Sequence, residues 1–233
     1  MFYFSTIEGR KVLKSDLLVG IEHFFTTRDI CIFSKEMDMS DNKAIVENYL
    51  GQKMATNQPV HSAHVEIVED GKLFYPKTDG LFIHQGQAAF LNFGDCVPII
   101  VYGGGIGGII HAGWRGTVQK IIKVAVEKFV NDYRVQPQEI KAVIGPAICS
   151  KCYEVGKDVY EQLLDTVFNH SCGFYQENGK YFVGLKDINK QQLLECGVEQ
   201  IDVCSYCTAC GEKLFYSYRF EKTGYRHSAV LKL

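Results

Sequence analysis

The stretch His111-Ala112-Gly113-Trp114-Arg115-Gly116 concentrates a histidine, the only tryptophan of the chain and an arginine in consecutive positions. After it, Val118, Ile121, Ile122, Ala125, Val126 and Phe129 recur at helical spacing, with Lys120, Lys123, Glu127 and Lys128 on the other face. The motif is therefore expected on a strand-to-helix turn, with the helix running from Thr117 to Val130. Free N–H groups at that helix start, beside Arg115 and Gly116, form a site for phosphate or another anion. His61, Cys96 and His111 form a set able to bind a soft or borderline metal. Two imidazoles and one thiolate leave a fourth position open, as in a catalytic zinc centre whose bound water loses a proton near neutral pH. Their separations are too irregular for a zinc finger, so only the fold can bring them together. Asp95 precedes the thiol, where it could orient a ligand or hydrogen-bond a substrate. Asp79 and Asp95 are the only charged residues between Lys77 and Arg115, and carboxylates in such apolar surroundings need partners.

The same residues admit other chemistries. Without metal, Cys96 as thiolate, His111 as general base and an acid as orienter make the scheme of a cysteine hydrolase. Copper also suits imidazole and thiolate, although one three-ligand set cannot supply the histidine clusters of a multicopper oxidase. His64, His84, His170 and His227 read as satisfied packing residues. A non-enzymatic interaction module is disfavoured, because a buried Asp-Cys beside this histidine motif serves no evident packing purpose.

Strand-like runs position these residues: Val65–Val68, Gly80–His84, Ala88–Phe93, Val97–Tyr102, Gly108–Ala112, Ile140–Ile144, Tyr181–Leu185, Ile201–Cys204, Leu214–Arg219 and Ser228–Leu233. Helices are fewer: besides the one after the motif, Asp41–Leu50, Gly156–Phe168 and Asp187–Cys196 carry helical boundary signals. Strands outnumber helices without strict alternation, which predicts an α+β fold of mixed β-sheets flanked by helices. The glycines at 103–108 fit neither nucleotide-binding fingerprint and read as a tight turn.

At 233 residues and 46% hydrophobic content, the chain can bury a full core, and no linker or repeat divides it, so one domain over residues 1–233 is expected. A net charge of −2 with scattered lysines argues against a nucleic-acid partner. No signal peptide is visible, and a cytoplasmic location is expected. Cys96 to Trp114 is free of charge, but Pro98, the glycines and His111 suit two buried strands better than a membrane helix. Nine cysteines in such a chain are expected as reduced thiols. Cys149-x-x-Cys152 and Cys204-x-x-Cys207-x-x-Cys210 have the spacing of metal ligands, yet they lie far apart in sequence without matching knuckle turns. They are read as packing thiols.

The motifs resemble those of the YfiH-like proteins, often labelled polyphenol oxidase or laccase-domain proteins. The matching pieces are Val60-His61-Ser62, Asp79-Gly80, Asp95-Cys96-Val97-Pro98, His111 to Gly116, Ile144-Gly145-Pro146-Ala147-Ile148, Tyr153-Glu154-Val155-Gly156, Cys207-Thr208 and Ser217-Tyr218-Arg219. The likeness spans about residues 20–231, and Pro59, Gly94 and Tyr225 depart from the family pattern. The resemblance implies a fold of the YfiH-like, cysteine-hydrolase type, with the metal and catalytic set on His61, Cys96 and His111. It implies a zinc-dependent purine nucleoside phosphorylase that converts adenosine or inosine and phosphate into base and ribose 1-phosphate. Adenosine deaminase and methylthioadenosine phosphorylase activities accompany it, and copper-dependent polyphenol oxidation is the alternative. Trp114, Arg115, Gly116 and Arg219 are then expected around nucleoside and phosphate; the oligomeric state is left open.

Overall fold

The computed structural model describes residues 1–233, and its centre is a six-stranded mixed sheet. Across it lie Gln200–Val203, Lys141–Ile144, Val97–Gly103, Ile106–Ala112, Gly80–Ile83 and Val65–Ile67, parallel in the first and last pairs and antiparallel between. The uncharged segment from Cys96 onward is thus two central strands. Val97, Ile99 and Val101 face one core while Ile100 faces another, so both faces of the strand are buried and the run reads as continuously apolar. Gly103 pairs with Ile106 across Gly104 and Gly105, both at positive φ, the conformation a two-residue hairpin turn requires. No helix is long and apolar enough to cross a membrane.

A second sheet packs on one face of the first. It contains Phe2–Ile7, Arg10–Ser15, Glu22–Thr26, Phe33–Ser34 and Tyr225–Lys232, with Ala88–Phe93 paired to the last of these. Phe25, Leu91, Phe93 and Leu231 from this sheet meet Leu81, Ile100, Ile109 and Val143 from the central one. The opposite face of the central sheet carries helices Ile121–Tyr133, Lys157–Leu164 and Leu185–Glu195, through Ile122, Phe129, Leu163 and Leu193. Helix Ser40–Leu50 covers the outer face of the second sheet with Val46 and Leu50. The layering is helix, sheet, sheet, helices, an α+β architecture with mixed sheets.

Two expected elements differ. The single helix after the histidine motif is instead a short helix, Trp114–Val118, and a separate one, Ile121–Tyr133, divided at Lys120 with φ 55°. The Thr117 carbonyl, which a continuous helix would give to Ile121, accepts from Lys120 N and from Gln192 Nε2 at 3.0 Å each. Leu214–Arg219 is not a strand. Ser217 accepts from Phe220 N and caps a helical turn, Tyr218–Glu221, a capping role that overrides the β-favouring aromatics beside it. Sequence patterning also misses the N-terminal hairpin, whose residues Tyr3 and Phe4 are exposed.

The cysteines depart from expectation too. Cys149, Cys152, Cys207 and Cys210 converge, with all four sulfurs within 4.8 Å of one another, whereas Cys204 is buried apart from them. A parallel bridge between Ala147 and Cys207 supplies the proximity that sequence distance conceals.

Candidate active site

His61, Cys96 and His111 come together at one end of the central sheet, their ligand atoms within 4.8 Å of one another. His111 stands next to last in the strand Ile106–Ala112, Cys96 precedes the strand that pairs with it, and His61 enters from a loop before Val65. The two imidazole rings meet edge to face at 5.1 Å. His61 has φ 62° and Asp95 has φ 96°, so the residues that aim this group sit in the left-handed region that side chains avoid.

Asp79 holds the arrangement. Fully buried, it accepts at Oδ1 from His111 Nδ1 and from His61 N, both at 3.0 Å; Oδ2 accepts from Ser62 N at 2.8 Å, Ser62 Oγ at 2.9 Å and Val60 N at 3.2 Å. Despite burial, which opposes ionisation, these partners keep its carboxyl below the usual range. Because Nδ1 of His111 is committed to the carboxylate, Nε2 is the nitrogen left to face Cys96 or a metal. In the sequence Asp79 is visible as an isolated charge needing a partner, but only the fold identifies that partner as a histidine.

Charge couples the thiol to the imidazoles. Burial would raise the Cys96 pKa, but the charge on His111, with hydrogen bonds from His111 and His61, lowers it to about 6. Burial would lower His111, but the Cys96 thiolate and Asp79 raise it to about 9. Two imidazoles and a low-pKa thiolate fit a soft or borderline ion such as zinc or copper. Gly113 leaves the necessary room: a Cβ there would lie 3.0 Å from both Cys96 Sγ and His61 Cδ2.

The other expected residues surround this centre unequally. Asp95 accepts at 2.6 Å from Thr208 Oγ1 and, through its other oxygen, at 2.6 Å from Arg219 N. Its carboxylate therefore ties the turn before Cys96 to the loops of Thr208 and Arg219. Arg115 is exposed and stacks over Trp114 at 4.3 Å. Gly116 is buried, where a Cβ would meet the Ser62 carbonyl at 3.0 Å. Trp114, Tyr153, Glu154 and Arg219 line an open pocket of about 490 Å³. Arg219 donates to the Glu154 carbonyl at 2.8 Å and lies over the Tyr153 ring. Burial, with the charges of Cys96 and Asp95, pushes the Tyr153 phenol up to about 12. Arg226, absent from the sequence-derived set, extends beside Asp95 because Gly94 lacks a side chain; a Cβ there would lie 2.8 Å from Arg226 Cδ.

The family described as multi-copper polyphenol oxidoreductase laccase matches residues 34–232. Purine nucleoside phosphorylase YlmD of Geobacillus stearothermophilus is 32% identical over 204 residues, spanning 79% of this chain and 74% of that protein. Adenosine deaminase RL5, from an unknown prokaryotic organism, is 34% identical over 141 residues, 58% of this chain and 53% of that protein. The crystal structure of the Bacillus licheniformis hypothetical protein YfiH superposes with a TM-score of 0.90 at 26% identity, covering 99% of this chain and 98% of that one.

Proposed function

Because this chain belongs to the multi-copper polyphenol oxidoreductase laccase family, which includes YlmD and YfiH, we propose that it is a zinc-dependent purine nucleoside phosphorylase with accompanying adenosine deaminase activity. The observation that carries the reading is the group His61, Cys96 and His111, braced by Asp79 and set beside an exposed arginine and an aromatic-lined pocket. The substrates are adenosine or inosine with inorganic phosphate. Methylthioadenosine is a further substrate of the same chemistry.

In phosphorolysis a phosphate oxygen bonds to C1′ of the ribose as the C1′–N9 bond breaks, and the electron pair of that bond leaves with the base, which takes up a proton. His61, Cys96 and His111 would hold the ion, and when bound it supplies Lewis-acid polarisation and an acidified water. Asp79 keeps His111 in the tautomer whose Nε2 faces the site. Arg115 presents two parallel N–H donors to phosphate, a geometry lysine lacks. Trp114 and Tyr153 offer ring faces for the flat purine, while Arg219, held by Glu154 and Asp95, closes one wall. Asp95 acts through position alone, fixing the turn that carries Cys96.

Copper-dependent phenol oxidation remains the family's labelled alternative, but the histidines outside this group do not assemble into further copper sites. His227 lies in the core against the Pro146 carbonyl, His84 meets Tyr133, and His64 pairs with Glu66. A second reading has a specific observation behind it: Cys96, His111 and Asp79 have the order of charges found in a cysteine hydrolase. Incubation with inosine and phosphate, with product analysis, separates the readings. Formation of ribose 1-phosphate, abolished by a chelator and restored by zinc, supports the phosphorylase. Phosphate-independent cleavage overturns it, and activity that survives the chelator but not thiol alkylation supports the hydrolase.

A further inference from the structure

Four thiols outside the candidate active site meet at one point. Cys149 and Cys152 come from the turn after Ile148, and Cys207 and Cys210 from the loop after the strand Gln200–Val203. No disulfide joins them. The Cys149 and Cys210 sulfurs are 3.8 Å apart, which matches the edge of a tetrahedron of sulfurs around an ion with metal–sulfur bonds of about 2.3 Å, an edge of about 3.8 Å. Cys207 Sγ accepts from Cys149 N at 3.2 Å and from Ala209 N at 3.3 Å. These bonds favour a thiolate, and the second closes a knuckle of the kind in which a Cys-x-x-Cys pair grips a metal. Thr208 N donates to the Ala147 carbonyl at 3.3 Å and sets the two turns side by side.

We infer that Cys149, Cys152, Cys207 and Cys210 bind a structural zinc ion, separate from the one at His61, Cys96 and His111. Four thiolates close the coordination shell and leave no position for substrate, so the site braces and does not catalyse. What it braces is the turn carrying Cys96. Ile148, next to Cys149, donates from N to the Asp95 carbonyl at 3.2 Å, and Thr208, between Cys207 and Cys210, donates to the Asp95 carboxylate at 2.6 Å. Both turns that converge on the ion thus hold the left-handed residue before the active-site thiol. The inference stands apart from the phosphorylase reading, since it concerns metal content and not turnover.

Metal analysis of the full chain, purified without added metal, tests it. The expected content is about two zinc ions per chain, falling to about one in Cys149→Ser/Cys210→Ser and to about one in His61→Ala/Cys96→Ala. Zinc-edge absorption of the second variant should report four sulfurs at about 2.3 Å. Amide exchange at Ile148 should be faster in the first variant than in the wild type. A folded His61→Ala/Cys96→Ala chain without metal, iron in place of zinc, or disulfides among the four cysteines would overturn the assignment. If the cysteine variant does not fold, wild-type protein titrated with a mercurial gives the answer. Zinc release in two steps, one of them accompanying modification of this cluster, supports the site; modification of these thiols with no zinc release refutes it.

Discussion

Asp79 Oδ1 lies 3.0 Å from His111 Nδ1, and the same oxygen accepts from the backbone of His61, so one buried carboxylate holds the His111 imidazole and the main chain that carries the His61 imidazole. Asp79→Asn places an amide among donors that all need an acceptor. Metal affinity should fall by about 10–100-fold, the usual effect of losing a carboxylate behind a ligating histidine. Breaking this buried network should also cost about 3 kcal/mol of stability. Competition with a zinc indicator and a denaturant melt measure the two effects. Unchanged metal affinity would show that Asp79 organises the loop without tuning the ligand.

Cys96→Ser tests the thiol directly. Because an alcohol is a much poorer ligand than a thiolate, metal at this centre and activity should disappear together. A variant that keeps the metal yet has no turnover would make Cys96 a nucleophile.

Gly113→Ala isolates the space between ligands. Its φ of −77° accommodates any residue, so backbone strain is not at issue. The new methyl would meet Cys96 Sγ and His61 Cδ2 at 3.0 Å. Stability should fall by about 1–3 kcal/mol, while metal occupancy and activity drop at least about tenfold. Full occupancy in the variant would mean the ligands separate more freely than their packing implies.

Much of this frame is legible in the sequence because burial on both faces leaves a simple mark. Val97–Gly103 and Ile106–Ala112 read as apolar runs around glycines and fold as the central hairpin. The N-terminal strands leave a weaker mark, since Lys11 and Lys14 interrupt a half-exposed hairpin. The break at Lys120 is invisible in the spacing of Val118 and Ile121, where the Thr117 carbonyl accepts from Gln192, a residue distant in sequence. Likewise His61, Cys96 and His111 stand out by chemistry alone, whereas the partners of Asp95 and the meeting of the two Cys-x-x-Cys turns depend on long-range pairing.

Charge coupling between Cys96 and His111 predicts the pH response of the metal-free chain. The thiol, lowered to about 6, stabilises the fold most above its unfolded pKa, and that contribution is lost as pH falls through about 6. His111, raised to about 9, contributes fully below its unfolded value, and that contribution is lost as pH rises through about 9. The opposing slopes largely cancel between these limits, where thiolate and imidazolium coexist. Iodoacetamide alkylation of Cys96 in chelator-treated protein should therefore rise through about pH 6. In His111→Ala, burial without the compensating charge should move that rise above about 8.5, the ordinary thiol value. Identical profiles for the two proteins would remove the coupling.

Arg115 separates phosphate-dependent chemistry from hydrolysis. Its guanidinium stacks on Trp114 and is exposed to solvent, so replacing it disturbs little packing. Arg115→Lys keeps the charge but loses the two-pronged geometry, and Arg115→Met loses both. The phosphate concentration needed for half-maximal nucleoside cleavage should rise about tenfold in the lysine variant and about a hundredfold in the methionine variant, following the loss of one and then both contributions of roughly 1.5 kcal/mol each. Adenosine deamination uses water as nucleophile and should fall less than about threefold in either, within about 0.7 kcal/mol. Rates measured against phosphate for cleavage, and against adenosine for deamination, provide the comparison. An equal loss of both activities would assign Arg115 to the nucleoside or to the local fold, because only a phosphate contact can distinguish a reaction that consumes phosphate from one that does not.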